Sequence, residues 1–260
     1  MFKFLSGILI GTCMILPGVS GSVIAIMLGI YEKVIYLINS KEKTIIKIKK
    51  LFPLLIGILI GIFIFGKILL LFYEKYTYQM MYVFIGLIIG GIPTLIKEIT
   101  SKSEKINKKC LIFSFLISII LFLIPKLLSI KVDNNLNFIN LFLGGFLYIA
   151  GKIIPGISSS FFLMLLGLYE YFLNLITNPF SITASFIPFL LGIIIGLYVF
   201  IKLINILLNK YYSKTYSSII GFVLGSVLAI YPGFELTKRG ILSFILMLIS
   251  FELVSKLSKK

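Results

Sequence analysis

Residues 17–32 read PGVSGSVIAIMLGIYE, and residues 155–170 read PGISSSFFLMLLGLYE. Pro, Gly, Ser, Ser, Gly, Tyr and Glu recur at the same offsets, 138 positions apart. Each copy lies inside apolar sequence, where Pro-Gly interrupts a helix: proline removes a backbone donor and crowds the preceding turn, and glycine admits the turn that follows. A helix break written twice in one register belongs to the architecture.

The copying extends further. PLLIGILIGIFIFGK (53–67) matches PFLLGIIIGLYVFIK (188–202) at an offset of 135, with Pro53/Pro188, Gly57/Gly192, Gly61/Gly196 and Lys67/Lys202 in register. Gly86 and Gly90 match Gly221 and Gly225 at the same offset. Internal duplication of this kind is what secondary transporters are built from. The glycine pairs have the GxxxG spacing that lets membrane helices approach closely.

Composition places the chain in a bilayer. Of 260 residues 59% are hydrophobic, and the mean hydropathy is +1.12. Apolar runs of about 20 residues, the length a bilayer requires, recur along it. The first run has no small-residue cleavage site and is followed by many others, so it does not read as a removable signal peptide. The net charge of +16 is not a nucleic-acid signal, because the lysines sit in short loops between apolar runs. Cys13 and Cys110 are the only cysteines and are not expected to pair. The chain has no His, no Trp and a single Asp, Asp133. That leaves little for hydrolytic or metal chemistry, so neither a catalytic residue nor a metal site nor a cofactor is expected.

The expected fold is an all-α polytopic membrane protein made of two inverted repeats, 1–130 and 131–260. Full spans are expected at 51–72, 80–99 and 110–130, then at 186–208, 216–231 and 239–257. The segments around the two breaks, 4–38 and 138–176, are expected as re-entrant helical hairpins, their arms 4–16, 23–38, 138–154 and 161–176 being short for a crossing. Lysine placement favours this. With both motifs as hairpins and both termini cytoplasmic, 17 Lys fall inside and five Lys or Arg outside. Were the first motif to cross, the six-lysine loop 33–50 would lie outside, against the positive-inside rule. A hairpin plus three spans is an odd number of crossings, so the second half enters upside down and the two tips should meet near the midplane.

Broken backbone inside a membrane is tolerated where it is buried or lines a wet cavity. At each tip a half-helix begins just after Pro-Gly, with unpartnered N–H groups and a partial positive charge. Ser20 and Ser22 at the first tip, and Ser158, Ser159 and Ser160 at the second, add hydroxyls. Together these suit a phosphate. Capping alone is the competing reading of the serines. Lys152, three residues before Pro155, is expected to be buried near the second tip; its counterpart is Met14. Lys67 and Lys202 either snorkel or serve the site. Glu32 and Glu170 close the two LGxYE elements. They either pair with a neighbouring lysine such as Lys33 or carry protons that offset the charge of a returning anion.

The doubled PGVSGS…LGIYE and PGISSS…LGLYE segments resemble the bacterial polyprenyl-phosphate (undecaprenyl phosphate) transporter family, PopT, over essentially the whole chain. The resemblance implies a multi-pass protein of the bacterial cytoplasmic membrane. It would return undecaprenyl phosphate, the lipid carrier of cell-envelope polymer synthesis, from the outer to the inner leaflet. Carried over by position, it puts Pro17, Gly18, Ser20, Gly21, Gly29, Tyr31 and Glu32 in the first site. Pro155, Gly156, Ser158, Gly167, Tyr169 and Glu170 fall in the second. Ser159 departs from the glycine of the family pattern, and GTCMIL departs from the more polar run expected before Pro17. The partner implied is the polyprenyl phosphate lipid within the membrane, with a homodimer left open and no nucleic acid. The residues alone also allow a secondary transporter of a small soluble anion as the runner-up, and, third, a structural subunit that transports nothing.

Overall fold

The computed structural model describes residues 2–14, 20–128, 136–157, 159–169, 171–172, 175 and 186–257. It is helical, and the described residues include no strand. In order the helices are α1 (Phe2–Cys13), α2 (Gly21–Met27), α3 (Tyr31–Asn39), α4 (Thr44–Ile60), α5 (Gly66–Lys75), α6 (Thr77–Ser101), α7 (Lys108–Leu128), α8 (Phe138–Ile153), α9 (Ser159–Leu165), α10 (Phe186–Lys210), α11 (Tyr212–Ile230) and α12 (Lys238–Leu257). A π-helical turn, Gly61–Phe65, joins α4 to α5.

Thr44–Phe65, Thr77–Ser101 and Phe186–Lys210 are long and apolar enough to cross a membrane, and α2 with α3 makes a fourth if that bent pair is one span. Helices also occupy the other stretches expected to span: α7 has 21 residues, α11 has 19 and α12 has 20. Large apolar side chains line the outward faces, among them Phe52, Leu55 and Phe63 on the first candidate span and Ile187, Leu191 and Ile194 on α10. So much exposed apolar surface suits hydrocarbon rather than water.

One expectation is corrected. The arm 23–38 is not one half-helix. α2 and α3 meet at 100°, because Gly29 takes the left-handed conformation, φ +64°. A residue with a Cβ resists that conformation, so the run LGIYE reads as continuous helix only if the glycine is ignored. Glu32 therefore lies in the first turn of α3 rather than at the end of a half-helix.

The duplication reappears as packing. α1 packs on α4 as α8 packs on α10, and α6 packs on α12 as α11 packs on α7. Glycines set the distance in all four pairs. A Cβ on Gly7 would meet the Leu54 carbonyl, and one on Gly145 the Phe189 carbonyl. A Cβ on Gly86 would run into Met247 and Ser250, and one on Gly221 into Leu111 and Ser114. The GxxxG spacings are thus helix contacts. Between the halves α6 touches α11, and the largest core cluster gathers Val23, Tyr31, Ile85, Ile153, Tyr216 and Val223 from both of them.

Candidate functional site

Residues 15–19 lie outside the described residues, and Pro17 and Gly18 with them. The chain re-emerges at Ser20, the half-buried residue before α2, with extended backbone. Its hydroxyl does not cap α2. Instead it shares a hydrogen bond of 2.6 Å with the hydroxyl of buried Ser22. Gly21 is buried, and a Cβ there would collide with Met14. At the second break α8 stops at Ile153, Ile154 is extended, and Pro155 is fully buried. Gly156, φ +83°, lies against Phe222 and Val223 of α11 so closely that a Cβ would not fit.

Both short helices end in the same way. The Gly29 N–H donates to the Ile26 carbonyl at 2.8 Å and the Ile30 N–H to the Ala25 carbonyl at 2.9 Å. The Gly167 N–H donates to Met164 at 3.1 Å and the Leu168 N–H to Leu163 at 2.8 Å, with Gly167 at φ +68°. This paired pattern is a Schellman motif, which needs a left-handed residue where each copy has its glycine.

A hydrogen bond ties the end of the first motif to the second break. Tyr31, buried at the start of α3, donates its hydroxyl to the Ile153 carbonyl at 2.9 Å. That carbonyl belongs to the last residue of α8 before the second turn. Ser159 is buried with its hydroxyl unpartnered among the described residues. Ser160 is exposed, and Ser158 and Glu170 lie outside the described residues. Lys152 is half-buried, its ammonium 5.4 Å from the Tyr148 ring. Tyr169 is half-buried and packs with Leu163, Leu168 and Phe189. Lys202 is exposed beside the Tyr198 ring, at 5.6 Å, far from the role of a buried cation. The side chain of Lys67 is outside the described residues.

Glu32 finds partners that its motif does not contain. Tyr212 donates to its Oε1 at 2.7 Å, and Tyr216 donates to the same oxygen. The Tyr212 hydroxyl also lies 3.3 Å from Glu98 Oε2, and the Lys102 ammonium sits 3.3 Å over the Tyr212 ring. No ion pair joins Glu32 to Lys33 among the described residues. The sequence reading did not single out Tyr212 or Tyr216. The available signal was the i, i+4 spacing at the start of α11, mirrored by Tyr78 and Tyr82 at the start of α6. That second pair donates to the Gly233 carbonyl at 3.0 and 2.8 Å.

A cavity of about 510 Å³ opens beside the second break. Ile154, Pro155 and Ile157 form one wall, Leu203, Ile204 and Leu207 of α10 another, and Tyr211 with α11 from Lys214 to Phe222 a third. No group of His, Cys, Asp or Glu fit for a metal occurs among the described residues, and both cysteines are free.

A family model described as undecaprenyl phosphate translocase-like matches the chain over residues 1–96 and again over 40–243. The polyprenyl-phosphate transporter of Vibrio cholerae serotype O1 is 28% identical over 217 residues, which is 78% of this chain and 68% of that protein. No solved structure matches.

Proposed function

The chain belongs to the undecaprenyl phosphate translocase-like family, and from that premise we propose that it is a membrane transporter of undecaprenyl phosphate. In this reading it returns the lipid from the outer to the inner leaflet of the bacterial cytoplasmic membrane. The observation that carries the proposal is the hydrogen bond from Tyr31 to the Ile153 carbonyl. It sets the two copies of one helix-breaking motif side by side within an apolar helical body. Broken helices meeting at a repeat interface are where transporters place anionic substrates. A phosphate head group crosses hydrocarbon only when its charge is matched along the way, while an isoprenoid tail needs no protection from lipid.

The same reading takes 1–130 and 131–260 as inverted repeats. The reciprocal contacts α6 on α12 and α11 on α7 support a two-fold relation between them. Inversion requires the odd number of crossings per half that the sequence leads one to expect. The head group is assigned to Ser20, Gly21 and Ser22 at one break and to Lys152, Pro155, Gly156, Ser158, Ser159 and Ser160 at the other. Pro17 and Gly18 are assigned to the head group as well, and Tyr31, Glu32, Tyr169, Glu170, Lys67 and Lys202 to supporting or coupling roles. Both termini and loops 39–50 and 97–109 face the cytoplasm, which labelling of single cysteines in intact cells checks.

The test is reconstitution. A short-chain polyprenyl phosphate added to one leaflet of proteoliposomes should reach the other faster than in protein-free vesicles. Equal rates with and without the protein overturn the proposal, and uptake of inorganic phosphate in place of the lipid turns it to the soluble-anion reading.

A further inference from the structure

The cavity beside the second break has an ordered lining. Its contribution from α11 is Lys214, Thr215, Ser218, Ile219 and Phe222, spaced i, i+1, i+4, i+5 and i+8, with Tyr211 just before the helix. That is one unbroken helical stripe. The stripe is graded. Its polar members, Lys214, Thr215 and Ser218, come first along the helix, and its apolar members, Ile219 and Phe222, follow, with Phe222 against Gly156 of the turn. From Lys214 to Phe222 it runs roughly 12 Å at the helical rise per residue. The cavity therefore has a cation at one end and hydrocarbon walls behind it.

Lys214 is free to serve a ligand. Its side chain is exposed, its ammonium lies 5.2 Å from the Tyr211 ring, and it joins no ion pair among the described residues. The carboxylates at this end of α11 have other partners: Glu104 accepts the Ser213 N–H at 3.0 Å, and Glu32 and Glu98 face the Tyr212 hydroxyl. A volume of about 510 Å³ lies within the roughly 300–1,000 Å³ of small-ligand pockets. A small soluble anion would leave the more accessible apolar walls, Leu203, Leu207 and Phe222, without a partner. An amphiphile with an anionic head fills both ends.

We propose that this cavity binds an isoprenoid phosphate, with Lys214 on the phosphate and the first isoprene units between α10, α11 and the Pro155–Ile157 turn. The proposal rests on the reading of the chain as a polyprenyl-phosphate transporter and names a resting place for its substrate outside the serine-rich tips. Sequence reading had left Lys214 among ordinary loop lysines, because only the packing of the turn on α11 makes it part of a wall.

The test uses the full chain in lipid nanodiscs, with farnesyl phosphate, farnesol and inorganic phosphate as separate probes. Lys214→Gln should weaken farnesyl phosphate binding about tenfold or more, the loss of one charge-assisted contact. It should leave farnesol binding unchanged. Lys214→Arg should restore affinity, and Lys210→Gln, which removes a charge outside the cavity, should not lower it. Leu203→Trp, which fills the apolar wall from an exposed position, should weaken farnesyl phosphate and farnesol alike. Unchanged farnesyl phosphate binding in both Lys214→Gln and Leu203→Trp overturns the site. So does inorganic phosphate binding as tightly as farnesyl phosphate and insensitive to Leu203→Trp. Vesicle assays separate the two claims. Wild-type leaflet transfer in both variants removes the site and keeps the transporter, whereas the expected binding pattern with no transfer in wild type keeps the site and removes the transporter.

Discussion

At the first break Ser20 and Ser22 bond to each other, and Glu32 takes hydroxyls from Tyr212 and Tyr216. At the second, Ser159 is buried with no partner among the described residues, and Lys152 has the Tyr148 ring beside it. The contrast sharpens at matched positions. Met14 and Gly21 of the first copy correspond to Lys152 and Ser159 of the second. In the first, the methionine lies where a Cβ on Gly21 would have to go. An apolar side chain and a glycine thus stand where the other copy has a cation and a hydroxyl. The backbone was kept: both short helices end on a left-handed glycine with the same two hydrogen bonds. Duplication preserved the end of the short helix and released the side chains around it. The first copy is closed on itself and anchored, and the second retains unmatched polar groups next to a cavity.

The strongest test of equivalence is in the glycine contacts the copies share. Gly7→Leu and Gly145→Leu each force a side chain into a backbone carbonyl of the neighbouring helix. Each should cost about 3 kcal/mol, the upper range for overpacking, and lower the melting temperature in detergent by similar amounts. If one is tolerated and the other is not, the halves do not rely on the same contact.

The next pair separates them. Tyr216→Phe removes a hydroxyl from a carboxylate and should destabilise by about 2 kcal/mol, as for hydrogen bonds to charged groups. Tyr171, in the second copy, has a buried hydroxyl with no partner among the described residues. Tyr171→Phe should leave stability unchanged or raise it. Thermal unfolding of the two variants together decides this, and equal losses would mean that the second copy hides a comparable network.

These networks show what could be read from the chain. The break positions, the helix stretches and the glycine contacts were legible, because Pro-Gly, apolar run length and GxxxG spacing are local patterns with direct physical meaning. The 100° turn at Gly29 was present in the letters as a glycine but was read through as helix. The partners of Glu32 come from residues 180 and 184 positions away, and Tyr31 reaches Ile153 across 122. No periodicity encodes such distances. Lys214 was invisible as a site for the same reason.

Smaller effects test whether the shared backbone is equally demanding. Gly29→Ala and Gly167→Ala place a Cβ on a left-handed residue and should each cost about 1 kcal/mol. Open space surrounds Gly29, so the cost there is conformational rather than steric. Matched losses in melting temperature support one backbone used twice, while a loss confined to one copy breaks that equivalence.

The smallest expected change in stability carries the most functional weight. Lys152→Met with Ser159→Gly gives the second break the residues that the first has at those positions. Ser159 opens α9, where glycine costs little, and its hydroxyl is buried unpaired, so its removal relieves a desolvation cost. A half-buried lysine replaced by methionine keeps its apolar stem. The double variant should therefore unfold within about 1 kcal/mol of wild type, the range of substitutions that disturb no packed contact. Its transfer of polyprenyl phosphate between leaflets should fall sharply, because both unmatched polar groups are gone from the break. A variant that is as stable as wild type and transports as fast would show that the asymmetry between the copies is incidental. The anion would then depend on groups the two breaks have in common.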